Sequence, residues 1–236
     1  MVSVVLPIHN EASKLAPLIE EISTALRGVR YEIVAVDDGS TDGSTAELDG
    51  LRGSFDSLRI VRLARRSGQS AATAAGLDAA RGETIVTLDA DGQNDPSDIP
   101  ALLDVLAADP SLAAAVGYRV RRADSLWRRV QSRVANAVRN WITRDGMRDT
   151  ACSLKAMRRS AVARVPRFDG MHRFLPALLI AQGGRLKEVP VRHRPRRSGR
   201  SKYGAWDRAF RGLVDAFAVR WYGRRALRYE LKEETG

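Results

Sequence analysis

The chain has 236 residues, of which 44% are hydrophobic, and a formal net charge of +11. This length fits one α/β domain with an appended segment, and the hydrophobic content excludes global disorder. The positive charge predicts an anionic partner, such as nucleic acid, a phospholipid surface or a phosphorylated substrate. Because Cys152 is the only cysteine, no internal disulfide can form, which favours a reducing cytoplasm.

Predicted strands and helices alternate along the first half of the chain. Short apolar runs predict strands at 2–6, 31–36, 58–63 and 83–88. Helical periodicity predicts helices at 13–26, with Ser13 as the N-cap, from about residue 45, and at 71–80. This alternation is typical of a parallel sheet with right-handed crossovers.

Later segments predict a strand at 112–116, a helix at about 123–142 and a last helix at 205–222. The N-terminus has no basic n-region, and the apolar stretches are shorter than the roughly 20 residues that span a bilayer. We therefore expect neither a signal peptide nor a transmembrane helix. The last helix is amphipathic and has two open interpretations: packing on the domain's own core, or lying at anionic headgroups.

Polar residues follow each of the first four predicted strands and precede each helix. Asn10, Asp38, Arg65 and Asp91 occupy these positions. Because the carboxyl ends of parallel strands meet at one edge of a sheet, we expect these four loops to form one surface there.

Two carboxylates, Asp89 and Asp91, follow the fourth predicted strand directly. In an extended segment residues two apart point to the same side, so these like charges repel unless a cation lies between them. A hard divalent cation that holds a diphosphate fits this position, and Gln93 adds a neutral oxygen at the same spacing. A solvated acidic turn is the alternative.

Three other classes of protein find little support. No Gly-x-Gly-x-x-Gly follows the first strand, and no Gly-x-x-x-x-Gly-Lys-Ser/Thr occurs, which argues against a dinucleotide dehydrogenase or a P-loop NTPase. The aromatic residues do not interleave with arginine on a sheet face, and no recognition motif is present. We therefore expect no nucleic-acid partner.

Four motifs in chain order resemble the GT-A family 2 glycosyltransferases. They are Pro7-x-x-Asn10-Glu11, Val36-Asp37-Asp38-Gly39-Ser40-Thr41-Asp42, Gly68-Gln69 and Asp89-Ala90-Asp91-Gly92-Gln93. More narrowly, residues 2–205 resemble the polyprenyl-phosphate group, which includes dolichol-phosphate mannose synthases and bacterial undecaprenyl-phosphate enzymes. The resemblance implies a Rossmann-like GT-A domain over 1–204, with a mostly parallel sheet and flanking helices. An amphipathic, basic helical segment would follow over 205–236.

The activity implied is inverting, metal-dependent transfer of one sugar from a UDP- or GDP-linked donor to polyprenyl phosphate. By the resemblance, Asp38 reads the base, and Asp89, Asp91 and Gln93 hold Mg²⁺ or Mn²⁺. The Asp37 carboxylate has a second interpretation, in which it caps the loop that follows it. The full donor site implied is Pro7, Asn10, Glu11, Asp37, Asp38, Arg65, Gly68, Gln69, Asp89, Ala90 and Lys202.

Arginines are the main residues expected to bind the acceptor phosphate, because a guanidinium group can donate two parallel hydrogen bonds to phosphate oxygens. A segment at 196–203, Arg-x-x-Gly-x-Ser-Lys-Tyr, resembles the family's mobile loop over the donor. For most arginines near 119–133 a solvated basic face is the alternative. The lipid-phosphate site implied by the resemblance is Arg119, Arg128, Ser132, Arg196 and Ser201.

The residues that the resemblance places at the reacting centre are Asp91 and Asp149. Asp149 would be a general base or a structural residue. A hydroxyl acceptor needs a base, whereas a lipid monophosphate, with a second pKa of about 6, is already ionised near neutral pH. Cys152 is expected to be a packed residue, and His172 a packed or exposed histidine rather than a metal ligand.

The alternative function is a family 2 transferase with a sugar-hydroxyl acceptor in cell-surface polysaccharide assembly. The Gln-x-x-Arg-Trp motif of processive synthases is replaced by 171–176, which argues against polymerisation. For the preferred function we expect a peripheral protein at the cytoplasmic face of the membrane. Its partners would be the nucleotide-sugar, the polyprenyl phosphate, an anionic membrane surface and a small membrane protein.

Overall fold

The computed structural model describes residues 1–120, 137–194 and 205–227, and of 205–211 the backbone alone. The strands are β1 (Val2–Ile8), β2 (Tyr31–Asp37), β3 (Leu58–Arg62), β4 (Thr84–Thr87), β5 (Leu112–Arg119), β6 (Lys155–Arg158) and β7 (Arg185–Val191). The helices are α1 (Leu15–Ala25), α2 (Ser44–Arg52), α3 (Gln69–Ala79), α4 (Ile99–Ala108), α5 (Arg159–Val162), α6 (Met171–Ala181) and α7 (Ala205–Arg225). A 3₁₀ turn covers Pro96–Asp98, and residues 137–143 are helical.

The strands form one sheet in the order β3-β2-β1-β4-β6-β5-β7. All neighbouring pairs are parallel except those of β6, which runs antiparallel to both β4 and β5. The predicted α/β class with a mostly parallel sheet is confirmed. The chain moves outward from β1 to β3 and then returns to place β4 on the other side of β1. This reversal creates a switch point, where α/β proteins bind ligands.

Helices cover both faces of the sheet, because side chains of buried strands alternate between the faces. In β1, Val4 and Leu6 pack with α1, α2 and α4, while Val5 packs on the opposite face with α3, α6 and α7. Gly76 lets α3 approach closely, since a Cβ there would lie 2.3 Å from the Val5 side chain. The site therefore rests on a sheet that is packed on both sides.

The start of α1 corrects one prediction. Ser13 does not cap this helix; it has a φ of 68°, and the N-cap is Lys14, with no side-chain cap of its own. Glu47 of α2 takes over that role, since its carboxylate accepts from the amides of Ser13 at 2.6 Å and Ala16 at 3.0 Å. A carboxylate there also suits the positive end of the helix dipole. This contact between distant residues fixes α1 against α2.

The C-terminal helix α7 begins at Ala205, where the last helix was predicted, and packs against the domain. Ala216 and Val219 are 2% and 3% exposed within the core that contains α6. Gly170 allows this approach, because a Cβ there would lie 2.5 Å from the Asp215 carboxylate. Packing on the core, one of the two interpretations of this helix, is therefore observed. None of the helices that the structure describes is long and apolar enough to cross a membrane.

Candidate active site

The carboxyl edge of the sheet collects the predicted site residues. Strands β1 to β5 and β7 end there, and β6 begins there because it runs the other way. Asp89 thus follows β4, Arg119 ends β5, and Lys155 opens β6, with Thr87 and Lys155 paired across the ladder. Loops from both halves of the chain therefore meet at one edge.

The loops after β1 and β2 are joined to each other. The side-chain oxygen of Asn10 accepts from the Thr41 amide at 2.8 Å. The Glu11 amide donates to Ser44 Oγ at 2.9 Å, and the Glu11 carboxylate pairs with Lys14 at 2.5 Å. Asn10 has a φ of 59°, which asparagine tolerates better than most residues. These contacts give Asn10 and Glu11 defined positions beside β2.

Asp37 caps the loop that follows it. Its carboxylate accepts from the Ser40 amide at 3.0 Å and from Thr45 Oγ1 at 2.6 Å, and the residue is 3% exposed. Burial raises the pKa of Asp37, but the hydrogen bonds from Thr45 and Ser40 outweigh it and bring the pKa below its usual value. The capping interpretation is therefore observed, and a direct donor contact stays a prediction.

Asp38 fastens the loop after β3. One oxygen accepts from the Ser67 amide at 2.5 Å and the other from the Gly68 amide at 2.8 Å. Gly39 brings the two loops together, because its φ is 61° and a Cβ there would lie 2.6 Å from the Arg66 amide nitrogen. The carboxylate predicted to read the base thus holds the loop after β3 in place. Reading of the base by Asp38 stays a prediction.

Asp89 is held from two sides. Gln69 Nε2, at the start of α3, donates to Asp89 Oδ1 at 2.9 Å. The Asp89 amide donates to Ser153 Oγ at 3.1 Å, and Ser153 belongs to the loop before β6. Asp91 Oδ1 accepts from the Gln93 amide at 3.0 Å, which turns the chain back toward the site. The neutral amide of Gln69 therefore contacts one member of the acidic pair, Asp89.

The neighbours of Asp89 only partly offset the cost of ionising its carboxyl group. Burial and the nearby Asp91 carboxylate raise the pKa of Asp89 to about 6, against the opposing effects of Lys155, Ser153 and Gln69. Lys155 is 3% exposed, and its ammonium group donates to the Cys152 carbonyl. Burial lowers the pKa of Lys155. Among the described residues, Lys155 is a cation whose charge favours the ionised form of Asp89.

The residues present fit a divalent cation. Carboxylate and amide oxygens are the ligands that Mg²⁺ and Mn²⁺ prefer, and Asp89, Asp91 and Gln93 supply them. Over the described ranges, with their gaps at 121–136 and 195–204, no three His, Cys, Asp or Glu side chains converge on one point. Two carboxylates suit a cation that takes further ligands from bound phosphates. The raised pKa of Asp89 supports the same conclusion, because a cation between the two carboxylates would offset their repulsion.

Arg119 and Asp149 form a fork on the other side of β6. Arg119 Nε and Nη2 donate to the two Asp149 oxygens at 2.6 and 2.9 Å, and the side chains are 16% and 6% exposed. Arg139 braces this region, since it donates to Thr150 Oγ1 and to the Met147 carbonyl. The guanidinium predicted to bind phosphate is therefore fixed in direction before any ligand arrives.

The segment after β7 is anchored on the acidic loop. The Arg194 amide donates to the Gln93 carbonyl at 2.7 Å, and His193 forms a bridge with Asn94. Gln93 Nε2 lies 3.5 Å from His193 Nε2, and Arg194 pairs with Asp95 at 3.0 Å. The root of the predicted mobile loop is thus fixed beside the acidic pair.

The remaining predicted residues divide into three groups. Pro7 lies in β1 opposite Val36, Ala90 is 2% exposed between the two acids, and Arg65 is exposed in the loop after β3. Cys152 is buried, as expected, and His172 Nδ1 lies 2.7 Å from Ser70 Oγ, as a packed histidine does. The predicted site residues that lie outside the described part of the chain are Arg128, Ser132, Arg196, Ser201 and Lys202.

Sequence reasoning did not single out Lys155, Asn94 or His193 as site residues. Lys155 looks like an ordinary strand residue until its antiparallel pairing brings it under Asp89. Asn94 donates to Ser153 Oγ at 2.7 Å and is 4% exposed. The available signal was a lysine next to the apolar pair Ala156 and Met157, since a charged residue is rarely buried without a local role.

Fold and site together define an α/β protein with a candidate ligand site at the carboxyl edge of its sheet, built from paired acids and a fixed guanidinium. The family described as Glycosyl transferase family 2 matches residues 3–165. The chain belongs to this family of glycosyltransferases.

Two relatives show how similar the chain is to named proteins. It is 40% identical over 228 residues to a dodecaprenyl-phosphate galacturonate synthase of Rhizobium johnstonii, covering 94% of this chain and 67% of the relative. It is 39% identical over 209 residues to an undecaprenyl-phosphate 4-deoxy-4-formamido-L-arabinose transferase of Pseudomonas paraeruginosa, covering 87% and 61%. The chain therefore spans about two thirds, or slightly less, of these relatives' length.

Solved structures share the fold. A mannosyltransferase from Pyrobaculum calidifontis, in complex with GDP-Man and Mn²⁺, has a TM-score of 0.64 and 24% identity over 95% of this chain and 70% of its own. Glucosyl-3-phosphoglycerate synthase from Mycobacterium tuberculosis, with Mn²⁺ and UDP-Glc, has a TM-score of 0.70 and 19% identity over 93% and 78%. The fold is accordingly the GT-A fold that the sequence motifs predicted.

Proposed function

We propose that this protein transfers one sugar from a UDP- or GDP-linked donor to a polyprenyl phosphate, with inversion at the sugar. The reaction would take place at the cytoplasmic face of the membrane. There the protein would bind the anionic membrane surface and reach the phosphate of the lipid. A small membrane-protein partner belongs to the same proposal. The names of the two relatives, both polyprenyl-phosphate enzymes, support this acceptor class.

One observation carries the proposal: the Arg119–Asp149 fork stands at the same sheet edge as the acidic pair, separated from it only by β6. Donor diphosphate and acceptor phosphate are both anionic and need separate positive sites. Arg119 provides a fixed guanidinium on the acceptor side. Ser153 joins the two sides, because its loop contacts Asp89.

On the donor side, the loops fastened by Asn10, Asp37 and Asp38 form the wall of the nucleotide pocket. Asp89, Asp91 and Gln93 would hold Mg²⁺ or Mn²⁺, which neutralises charge on the departing nucleoside diphosphate when bound. Gln69 keeps the Asp89 carboxylate oriented toward that position. The solved neighbours with Mn²⁺ and nucleotide-sugars support this assignment.

On the acceptor side, Asp149 positions Arg119 rather than taking a proton. Both of its oxygens accept from the guanidinium, which stabilises the ionised carboxylate. A lipid monophosphate is already an oxyanion near neutral pH, so orientation by Arg119 is sufficient to aim it at the sugar. This pairing disfavours the alternative with a hydroxyl acceptor, which needs a free base.

The test is transfer of label from a panel of radiolabelled UDP- and GDP-sugars into an organic-extractable lipid. Purified protein is mixed with polyprenyl phosphate and Mg²⁺ or Mn²⁺, and Asp91→Ala serves as the control. We expect label in the lipid phase that the substitution abolishes. Donor hydrolysis without labelled lipid would move the acceptor to a hydroxyl, or would show that the small membrane-protein partner is missing from the assay. Absence of donor binding and turnover would overturn the transferase proposal.

A further inference from the structure

The contact between α7 and residues 137–143 concentrates positive charge. Arg220 Nη1 donates to the Ile142 carbonyl at 2.8 Å. Burial and the guanidinium groups of Arg144 and Arg224 lower the pKa of Arg220. Like charges gathered in this way repel each other, so the cluster gains stability from an anion.

This cluster differs from the domain's other arginines. Arg119 and Arg194 pair with carboxylates, as do most arginines near the site. Among the residues that the structure describes, no carboxylate pairs with Arg144, Arg220 or Arg224. Within the described part of the chain these arginines are therefore available to an anionic partner.

Large apolar side chains flank the cluster. Trp141 is 76% exposed beside Ile142, while Trp221 and Phe217 are 63% and 52% exposed on α7. The opposite side of α7 is the packed one described above, so these rings face away from the core. Arg225 lies over the Trp221 ring at 5.6 Å from its centroid. We call this the basic aromatic surface, and its members are Trp141, Arg144, Phe217, Arg220, Trp221 and Arg224.

The chemistry of the basic aromatic surface selects one partner among three. A second copy of this chain would bring the same positive charge and be repelled. An acidic protein would satisfy the arginines but has no general need for exposed indoles. An anionic bilayer satisfies both, because arginine attracts the headgroups and tryptophan favours the boundary between headgroups and acyl chains.

We propose that the basic aromatic surface docks this protein on the anionic headgroups of a bilayer. The inference rests on the proposed function in one respect, since a lipid acceptor gives docking its purpose. The surface also adjoins the acceptor side. Residues 137–143 lead into the loop of Asp149, and Arg139 ties the two together. A docked protein would therefore present Arg119 near the plane of the lipid phosphates.

Vesicle flotation tests the docking without nucleotide or acceptor, so its outcome is independent of catalysis. Phosphatidylcholine vesicles with about one third phosphatidylglycerol are compared with pure phosphatidylcholine. The variant is Arg144→Gln/Arg220→Gln/Arg224→Gln. The matched control, Arg27→Gln/Arg30→Gln/Arg52→Gln, removes the same charge from exposed positions away from the surface.

We expect the wild-type chain to bind only the anionic vesicles. At about fivefold per arginine, the triple variant should bind roughly 100-fold more weakly, and the control within about threefold of wild type. Equal loss in the control would overturn the proposal, because net charge alone would then explain binding. Absence of wild-type binding, or a wild-type dimer that the triple variant dissolves, would overturn it as well.

A second measurement serves if the triple variant fails to fold. Vesicles of brominated phosphatidylglycerol quench indoles that reach the acyl boundary. We expect quenching in the wild-type chain that falls in Trp141→Ser and Trp221→Ser. Unchanged quenching in both variants would overturn the role of the surface. If docking holds while no sugar reaches lipid, the proposed function fails and the docking surface stands.

Discussion

The substitution Asp149→Asn separates positioning from base catalysis on the acceptor side. Asp149 accepts from Arg119 at 2.6 and 2.9 Å, and both side chains are largely buried. Asparagine keeps one acceptor oxygen but turns an NH₂ group toward the guanidinium, so one charge-assisted bond is lost. Such a bond contributes about 2 kcal/mol. For a chain of this size we therefore expect the Tm to fall by roughly 4–8 °C.

The loss of this hydrogen bond also determines the expected decrease in the rate of sugar transfer. If Asp149 acts through Arg119, about 2 kcal/mol lowers kcat/KM for the lipid phosphate by roughly 30-fold. Initial rates measured across pH should keep, in both proteins, the inflection at about 6 that the second ionisation of the acceptor phosphate contributes. Arg119→Lys is the matched control, since it keeps the charge and loses the fork, and it should show a similar loss.

A general base would behave differently. Its removal lowers kcat by roughly 10²–10⁴-fold and removes the pH dependence that the base itself contributes. Such a loss in Asp149→Asn, with Arg119→Lys close to wild type, would refute the positioning role and favour a hydroxyl acceptor.

Three further predictions concern the loops and the core. Asp38→Ala leaves two backbone amides of the loop after β3 without their acceptor. We therefore expect the free energy of unfolding in urea to fall by about 2–4 kcal/mol and nucleotide binding to weaken. A variant as stable as the wild type would contradict the fastening role. Gly39→Ala places a Cβ against the neighbouring loop at a positive φ, so the free energy of unfolding should fall by about 1–3 kcal/mol. The control Gly53→Ala, where a Cβ meets open space at a negative φ, should leave it nearly unchanged in the same assay. Burial lowers the pKa of His172 to about 4, so the folded state disfavours its protonation and stability should fall by about 3 kcal/mol as pH drops from about 6.5 to about 4. His172→Gln should flatten that part of the unfolding curve, and an unchanged slope would exclude His172 as its source.

The first four strands and the polar loops after them could be predicted because local pattern determines them. Buried parallel strands read as short apolar runs, and polar residues at their ends mark the site edge. The acidic pair was also predictable, since Asp89 and Asp91 follow β4 directly. The roles of Asp37 and Asp38 were harder to assign. Whether a carboxylate faces a ligand or caps a loop depends on the amides that reach it, and these come from distant loops.

The contacts that sequence reasoning missed depend on β6. Its antiparallel direction brings Lys155 and Ser153 to Asp89, although more than 60 positions separate them in the chain. Nothing in a four-residue strand indicates which neighbours it has or which way it runs. The Ser13 cap failed for a related reason. A helix start can be capped from outside, here by Glu47, and local propensity does not reveal that.

The place of β6 in the sheet also affects how the protein is made. β4 and β5 are consecutive in the chain but do not pair, because β6 inserts between them. A nascent chain that has emerged only to residue 120 therefore leaves unpaired the edges of β4 and β5 that β6 later joins, and such edges invite wrong pairing. They close when residues 155–158 arrive, which also brings Lys155 and Ser153 to the acids. Closure of the sheet between β4 and β5 and assembly of the candidate site around Asp89 are thus the same event in folding.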